Sequence, residues 1–117
     1  AAVAKISACD SHVLSNLAWA GATMRFADAP LLDAISLESR RKMCEFTVQG
    51  LSTTAWSFAT LCVKDFPLMQ AISAQASAPI ATGKATLQAL ANTAWACAAL
   101  EFKDRPLLDA ISAAARA

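Results

Sequence analysis

Apolar and polar residues recur along the chain in a pattern that occurs three times. Trp19, Trp56 and Trp95 lie 37 and 39 residues apart, and each is followed 11 residues later by a proline. A repeat of this length, with one tryptophan and one proline per copy, is typical of two-helix units that bury their apolar faces against one another. The pattern predicts an all-α fold: a right-handed α-solenoid of about three two-helix repeats plus a partial N-terminal repeat.

The repeats divide the chain into four segments. Residues 10–46, 47–85 and 86–117 are repeats 1, 2 and 3, and residues 1–9 align with the end of a repeat, matching Lys5 to Lys42. We expect residues 1–9 to be the tail of a preceding repeat. Because the chain starts at Ala1 and not at a methionine, we also expect it to be processed or part of a longer array.

The first helix of each repeat starts after a residue that caps helices well. Asp10, Thr47 and Thr86 occupy one repeat position, and their side-chain oxygens suit the unpaired amides of a first turn. The apolar residues that follow predict first helices over 11–26, 48–63 and 87–102.

The second helix of each repeat starts at an Asp-X-Pro sequence. Asp can cap the helix, and Pro suits its first turn because no amide is needed there. An apolar stripe then packs the second helix on the first. The stripe residues are Leu31, Leu32, Ile35, Leu68, Met69, Ile72, Leu107, Leu108 and Ile111. In repeat 2 the helix is expected to stop before Pro79, so that residues 79–84 form a connection.

Composition and charge limit the classes of function that the chain can have. The chain is 56% apolar and 16% charged, yet no uninterrupted apolar run is long enough for a membrane span, so a soluble protein is expected. The net charge of +1 gives no field that would gather nucleic acid non-specifically. The basic run at residues 40–42 is too short for a nucleic-acid signature and suits a solvated helix end.

The residues with reactive side chains do not predict catalysis or metal binding. Cys9, Cys44, Cys62 and Cys97 have no CxxC spacing and are expected to act as small hydrophobes on helix faces. The three tryptophans could stack on bases, but their apolar flanks and their occurrence once per unit favour burial between the helix layers. His12 lacks a catalytic partner. We expect no enzyme activity, no cofactor and no metal.

One side of each first helix carries small polar residues and forms a candidate ligand-binding surface. Positions −3, +1, +4 and +8 from each tryptophan fall on one side of a helix. The candidate residues are Asn16, Thr23, Thr53, Ser57, Thr60, Lys64, Asn92 and Lys103. Two interpretations stay open: a ladder of donors and acceptors that faces a ligand, or small residues that allow close helix packing and bond to their own backbone.

Two short motifs add a family resemblance. The segment LANTAWA at residues 90–96, with FTVQ at 46–49 and TLQ at 86–88, resembles octotricopeptide-type repeats and their heptatricopeptide relatives. The resemblance covers essentially the whole chain. It implies a two-helix solenoid of a chloroplast or mitochondrial protein, often associated with a RAP domain, that binds and processes organellar RNA. It also implies that the first helix of each unit supplies the side chains that face the RNA.

Two functions follow as alternatives. The first is a non-enzymatic module that binds single-stranded RNA through the polar face, which the resemblance favours. The second is a scaffold subunit of a large organellar assembly, such as a ribosome or a photosynthetic complex, which the low net charge favours. The chain ends, residues 1–8 and 111–117, are expected to expose apolar helix surface that another structure covers.

Overall fold

The described part of the chain folds entirely into helices. The structure is a computed structural model that describes residues 9–116, and within that range it holds six α-helices, one 3-10 helix and no strand. The helices are α1 (Ser11–Thr23), α2 (Ala29–Arg41), α3 (Val48–Thr60), α4 (Phe66–Ala81), α5 (Leu87–Ala99) and α6 (Arg105–Arg116), with the 3-10 helix at Met43–Glu45. We call the pairs α1 and α2, α3 and α4, and α5 and α6 units 1, 2 and 3. The predicted tail lies, apart from Cys9, outside the described residues.

The first helices start where the capping residues predict. The carboxylate of Asp10 accepts a hydrogen bond from the amide of Val13 at 2.9 Å. The hydroxyls of Thr47 and Thr86 accept from the equivalent amides of α3 and α5, at 3.0 and 3.1 Å. Each bond satisfies one of the amides that the first turn leaves unpaired, and such a cap typically contributes about 1 kcal/mol.

The first helices end three residues earlier than predicted. Arg25, Cys62 and Glu101 adopt φ values of 55°, 58° and 56°, in the left-handed region that closes a helix. The amide of Phe26 then donates to the carbonyl of Gly21 at 2.8 Å, and the same six-residue closure ends α3 and α5. This is the Schellman arrangement, usually built on glycine. No glycine stands at these closing positions, so the chain carries no local signal for them, and the helices end three residues before the approximate limits predicted at residues 26, 63 and 102.

The second helices start at the Asp-X-Pro sequences, as predicted. Each begins one residue after the aspartate, which places the proline at its second position. The carboxylate of Asp65 accepts from the amide of Leu68 at 3.1 Å, whereas Asp28 makes no such capping bond.

Helix α4 does not stop before Pro79, so that prediction was wrong. Pro79 lies inside the last turn of α4, and the helix runs on to Ala81. A proline so close to the end removes only one of the helix's own hydrogen bonds. The helix closes instead at Gly83, whose φ is 79°, with the amide of Lys84 donating to the carbonyl of Pro79 at 3.0 Å.

The helices form two layers. Helix α3 packs between α1 and α5, which places the first helices side by side, and α4 contacts both α2 and α6 in the second layer. Each first helix also contacts the second helix of its own unit. The result is an elongated body of 45 × 25 × 21 Å.

The apolar stripe of the second helices fills the space between the layers. Leu68, Met69 and Ile72 of unit 2 are fully buried beside Phe58 of α3. This confirms the stripe for the central unit, whereas Leu108 in unit 3 is exposed.

The expectation that the C-terminal end exposes an apolar surface is confirmed in part. Ala113 and Ala115 are exposed, whereas Ile111 is buried in the core. Ala98 and Leu108 add to the exposed apolar surface of unit 3.

Candidate functional site

The three tryptophans lie on the outside of the molecule, so the prediction that they are buried was wrong. The side chains of Trp19 and Trp95 are 49% and 47% exposed, and Trp56 is partly exposed. They follow one another across α1, α3 and α5 at the same repeat position, and we call them the tryptophan row.

Small side chains next to the tryptophans explain this placement. In α3 the buried arc is made by residues such as Leu51, Ala55 and Phe58, and Trp56 lies outside it. The alanines let neighbouring first helices approach closely, which leaves no room for an indole between them. The apolar flanks that favoured a buried tryptophan are thus themselves the packing surface.

Two indoles of the row contact each other across a unit boundary. The ring centroids of Trp56 and Trp95 are 6.4 Å apart, with 39° between the ring planes. This distance is within the range of favourable aromatic pairs. Both residues keep part of their surface accessible, and an indole combines a flat apolar ring with a donating N–H group.

A second row, of amides and hydroxyls, runs beside the tryptophan row. Asn16 is exposed on α1, and Thr53 and Asn92 are partly exposed at the same position of α3 and α5. We call these three the polar row. Each lies three residues before a tryptophan, so both residues share one side of the helix.

One turn earlier, each polar-row residue has a polar neighbour on its own helix. Nδ2 of Asn16 is 3.3 Å from Nε2 of His12, Nε2 of Gln49 donates to Thr53 at 3.4 Å, and Nε2 of Gln88 donates to Oδ1 of Asn92 at 3.0 Å. These i,i+4 contacts hold the side chains loosely at the surface, where a ligand can replace them. His12 takes part as a hydrogen-bonding group beside Asn16.

Four hydroxyls next to the predicted face bond to the backbone instead of facing outward. Ser15 and Ser52 each donate to a carbonyl three residues earlier, at 3.0 Å, and Thr54 and Thr93 to one four residues earlier, at 2.8 Å. All four residues are buried. They support the packing interpretation.

The predicted candidate Ser57 is buried in the same way. It is fully buried and its hydroxyl donates to the carbonyl of Thr53 at 2.7 Å. The structure therefore removes Ser57 from the accessible surface, because position +1 lies against the neighbouring first helix. Thr23 is exposed beside Trp19, and Thr60 is partly buried beside Trp56.

The predicted lysines lie beyond the C-terminal ends of the first helices. Nζ of Lys64 is 3.2 Å from Oε1 of Glu101, joining units 2 and 3 at the surface, and Lys103 is exposed. An exposed pair of this kind contributes little to stability, so Lys64 can exchange its partner at low cost.

The basic run at the end of α2 is paired with a buried carboxylate. Nη1 of Arg41 is 2.7 Å from Oε1 of Glu38, and Nζ of Lys42 is 3.8 Å from Oε2 of the same residue. Lys42 also donates to the carbonyl of Cys9 at 2.5 Å. The expectation of a wholly solvated face was therefore wrong for Lys42, which is partly buried.

A polar groove lies between the N-terminal halves of α1 and α3. It has a volume of about 150 Å³ and is lined by polar residues that include His12, Asn16, Gln49 and Thr53. The groove brings residues of the polar row from two units to one place.

The cysteines do not all behave as buried hydrophobes. Cys97 is buried, and burial together with the nearby Asp104 carboxylate raises the pKa of its thiol to about 11. Cys44 and Cys62 are exposed, which corrects the prediction for these two. Cys62 is exposed because it occupies the left-handed closing position of α3.

Within residues 9–116, no group of three or more histidines, cysteines and carboxylates is placed to hold a metal ion. No helix in that part of the chain is long and apolar enough to cross a membrane.

The tryptophan row is the part of the surface that the sequence pattern assigned to the core. A signal was present, because Trp19 lies at helical spacing from the polar residues His12, Asn16 and Thr23. The face centres on the tryptophan and not on position +1. Comparison of the chain with family models, curated proteins and solved structures gave no match.

Proposed function

We propose that the chain is a non-enzymatic module that binds single-stranded RNA along its first helices. The observation that carries the proposal is the tryptophan row beside the polar row, repeated once per unit. Flat aromatic side chains stack on bases of any sequence, and amides and hydroxyls bond to base edges. The resemblance to octotricopeptide-type repeats supports the same ligand and a chloroplast or mitochondrial location.

The two rows would contact different parts of each nucleotide. The exposed indoles of Trp19 and Trp95 and the partly exposed indole of Trp56 would stack on bases. Asn16, Thr53 and Asn92 would donate to and accept from the edges of those bases. The exposed Lys103, and Lys64 after release from Glu101, would contact phosphates. The right-handed winding that the repeat pattern predicts would present these rows as one continuous surface.

The net charge of +1 sets the expected character of the binding. With few cations on the surface, stacking would supply most of the affinity. Each phosphate that is neutralised steepens the fall of log affinity with log salt by roughly 0.7 for single strands. We therefore expect a shallow slope, on the order of one or two contacts.

The test is a titration of labelled single-stranded RNA of mixed sequence, followed by fluorescence anisotropy at several salt concentrations. Replacing Trp56 by Ala should weaken binding about five-fold to a hundred-fold, since base stacking contributes about 1–3 kcal/mol per base. A triple variant, Asn16→Ala with Thr53→Ala and Asn92→Ala, should weaken it further. The matched control is Leu37→Ala, which removes an exposed apolar side chain from the other layer.

Two outcomes would contradict the proposal. One is no binding at low salt, and the other is wild-type affinity in the Trp56→Ala protein. Circular dichroism of each variant checks that a loss of binding does not come from unfolding.

The scaffold function stays as a second candidate because of a different observation. Ala98 and Leu108 leave an apolar surface open on the last unit. A surface of this kind is typical of protein association and needs no RNA.

A further inference from the structure

The last unit exposes a surface that the other two units bury. In unit 2, on which unit 3 packs, Ala55, Ala59 and Met69 are at most 2% exposed. The residues at the same positions of unit 3 are Ala94, Ala98 and Leu108, and Leu108 is 37% exposed. We call Ala94, Ala98 and Leu108 the C-terminal face.

This face contains a groove of about 300 Å³, lined by all three residues together with Cys97 and Phe102. The groove and the C-terminal face together correspond to the surface of unit 2 on which unit 3 packs.

The first unit exposes the opposite half of the same interface. Thr93, Leu100 and Leu107 are buried in unit 3, which packs on unit 2. Their counterparts in unit 1 are Leu17 and Leu31, which are only partly buried, and Met24, which is 70% exposed. We call Leu17, Met24 and Leu31 the N-terminal face.

We propose that a second copy of this chain stacks head to tail on the first, with its N-terminal face on the C-terminal face of the other copy. The argument is continuity with an interface that the molecule already makes twice, between units 1 and 2 and between units 2 and 3. Among the described residues, the first and last units expose its two complementary halves, and both are apolar.

Polar contacts at the internal boundary suggest how the ends would meet. The hydroxyl of Ser73 in unit 2 donates to the carboxylate of Asp104 in unit 3. Ser112 and Asp28 hold these two positions at the open ends. Ser112 is exposed and Asp28 makes no capping bond, so this hydrogen bond can form between copies, although the equivalent Ser36 hydroxyl at the boundary between units 1 and 2 has no partner among the described residues.

An aromatic contact has a counterpart as well. The rings of Phe66 and Phe102 stack across the boundary between units 2 and 3, with centroids 6.2 Å apart. At the open ends, Arg105 and Phe26 hold these positions, and both are exposed. A guanidinium over a phenyl ring is a favourable replacement.

One charged pair does not match between copies, and it predicts a distinctive dependence of association on salt. Lys64 pairs with Glu101 inside the molecule, but Lys103 would meet Arg25 between copies. Two exposed like charges repel weakly, and salt screens them. Association between copies should therefore strengthen as salt rises, whereas binding to RNA weakens.

The test is sedimentation velocity of the whole chain over a range of protein and salt concentrations. The average mass of the wild-type protein should rise with protein concentration, because a head-to-tail contact leaves both ends of a dimer open. Leu108→Arg blocks the C-terminal face and Met24→Arg blocks the N-terminal face. Each variant alone should weaken association at least about ten-fold, the equivalent of about 1.4 kcal/mol.

An equimolar mixture of the two variants gives the sharpest result. The intact N-terminal face of Leu108→Arg can dock on the intact C-terminal face of Met24→Arg, so the mixture should form dimers and nothing larger. Leu37→Arg is the matched control, because position 37 and its counterparts Ala74 and Ala113 are exposed in every unit. It should associate like the wild type.

The proposal is overturned if the wild-type chain stays monomeric at high salt, if either blocked variant still associates fully, or if the mixture stays monomeric. Circular dichroism confirms the folding of each variant. If Leu108→Arg does not fold, Ala98→Arg carries the same test. None of these outcomes bears on RNA binding, so the two proposals fail separately.

Discussion

Units 2 and 3 carry similar residues at equivalent positions but bury them differently. Met69 is fully buried, whereas Leu108, its counterpart, is on the surface. Ala59 is buried and Ala98 is exposed. The difference lies in the neighbours, because unit 2 has a unit on each side and unit 3 has only one among the described residues. In an array of this kind, the burial of a residue depends on the next unit as much as on its own helix.

The largest expected effect tests this difference directly. Met69→Ala should lower the free energy of unfolding by about 2–5 kcal/mol, because it removes a fully buried side chain. Leu108→Ala should lower it by less than about 1 kcal/mol, as for a surface position. Urea unfolding followed by circular dichroism measures both. Equal losses would mean that the two positions share one environment.

The thiol of Cys97 reports on the opening of unit 3, because the side chain is buried in that unit. Its pKa of about 11, against an ordinary value of 9.0, makes its thiolate on the order of a hundred-fold scarcer at neutral pH. A thiol reagent should therefore modify Cys97 at least that much more slowly than the exposed Cys44 and Cys62, as followed by peptide mass spectrometry. Modification of all three at one rate would show that the core around Cys97 opens readily.

The same pKa sets a pH dependence of stability. Because the folded pKa of Cys97 lies above the unfolded one, the folded state holds its proton more tightly. Stability is therefore retained below pH 9 and lost as the pH rises toward 11. Cys97→Ala should flatten this decline in a series of urea unfolding curves, and an unchanged slope would assign the decline to other groups.

A smaller loss of stability is expected in the tryptophan row, where the exposure of a residue depends less on the neighbouring units. Trp19 and Trp95 are about equally exposed, although they lie in different units. Trp95→Ala should cost about 1–2 kcal/mol, below the 3–5 kcal/mol typical of a buried aromatic residue. Thermal unfolding measures the loss. A cost as large as that of a core residue would argue that the indole belongs to the core.

The smallest effect concerns the helix ends and should be a gain. Cys62 holds a left-handed φ of 58°, which costs a residue with a Cβ atom on the order of 1 kcal/mol. Cys62→Gly should raise stability by about 0.5–1 kcal/mol. Cys62→Ala is the control and should change little. If both variants gain equally, the thiol and not the backbone is responsible.

Features that depend on neighbouring residues in the chain could be predicted from the sequence. Asp10, Thr47 and Thr86 cap the first helices as expected, since a cap needs only its own first turn. The closures at Arg25, Cys62 and Glu101 could not be predicted, because a left-handed residue without glycine leaves no local signal. The prediction that α4 ends before Pro79 was wrong for the opposite reason. Proline is a strong local signal for a helix end, but here it lies in the last turn, where the helix tolerates it.

The candidate site could be predicted only in part. The i,i+4 spacing placed Asn16, Thr53 and Asn92 on the outer side of the first helices. It could not show that Ser57 turns toward the neighbouring helix, or that Trp56 turns away from it. Both outcomes depend on how closely the alanine-rich helices approach, which is a property of the packed array.

The contact between Trp56 and Trp95 gives the boundary between units 2 and 3 an optical signal of its own. Two indoles with centroids 6.4 Å apart and inclined planes exchange excitation energy, and such coupled transitions give a paired band of opposite signs in circular dichroism. Because the two rings belong to different units, the band exists only while those units are stacked. Its amplitude follows the opening of this one boundary, without a label and apart from the helical signal of the whole chain.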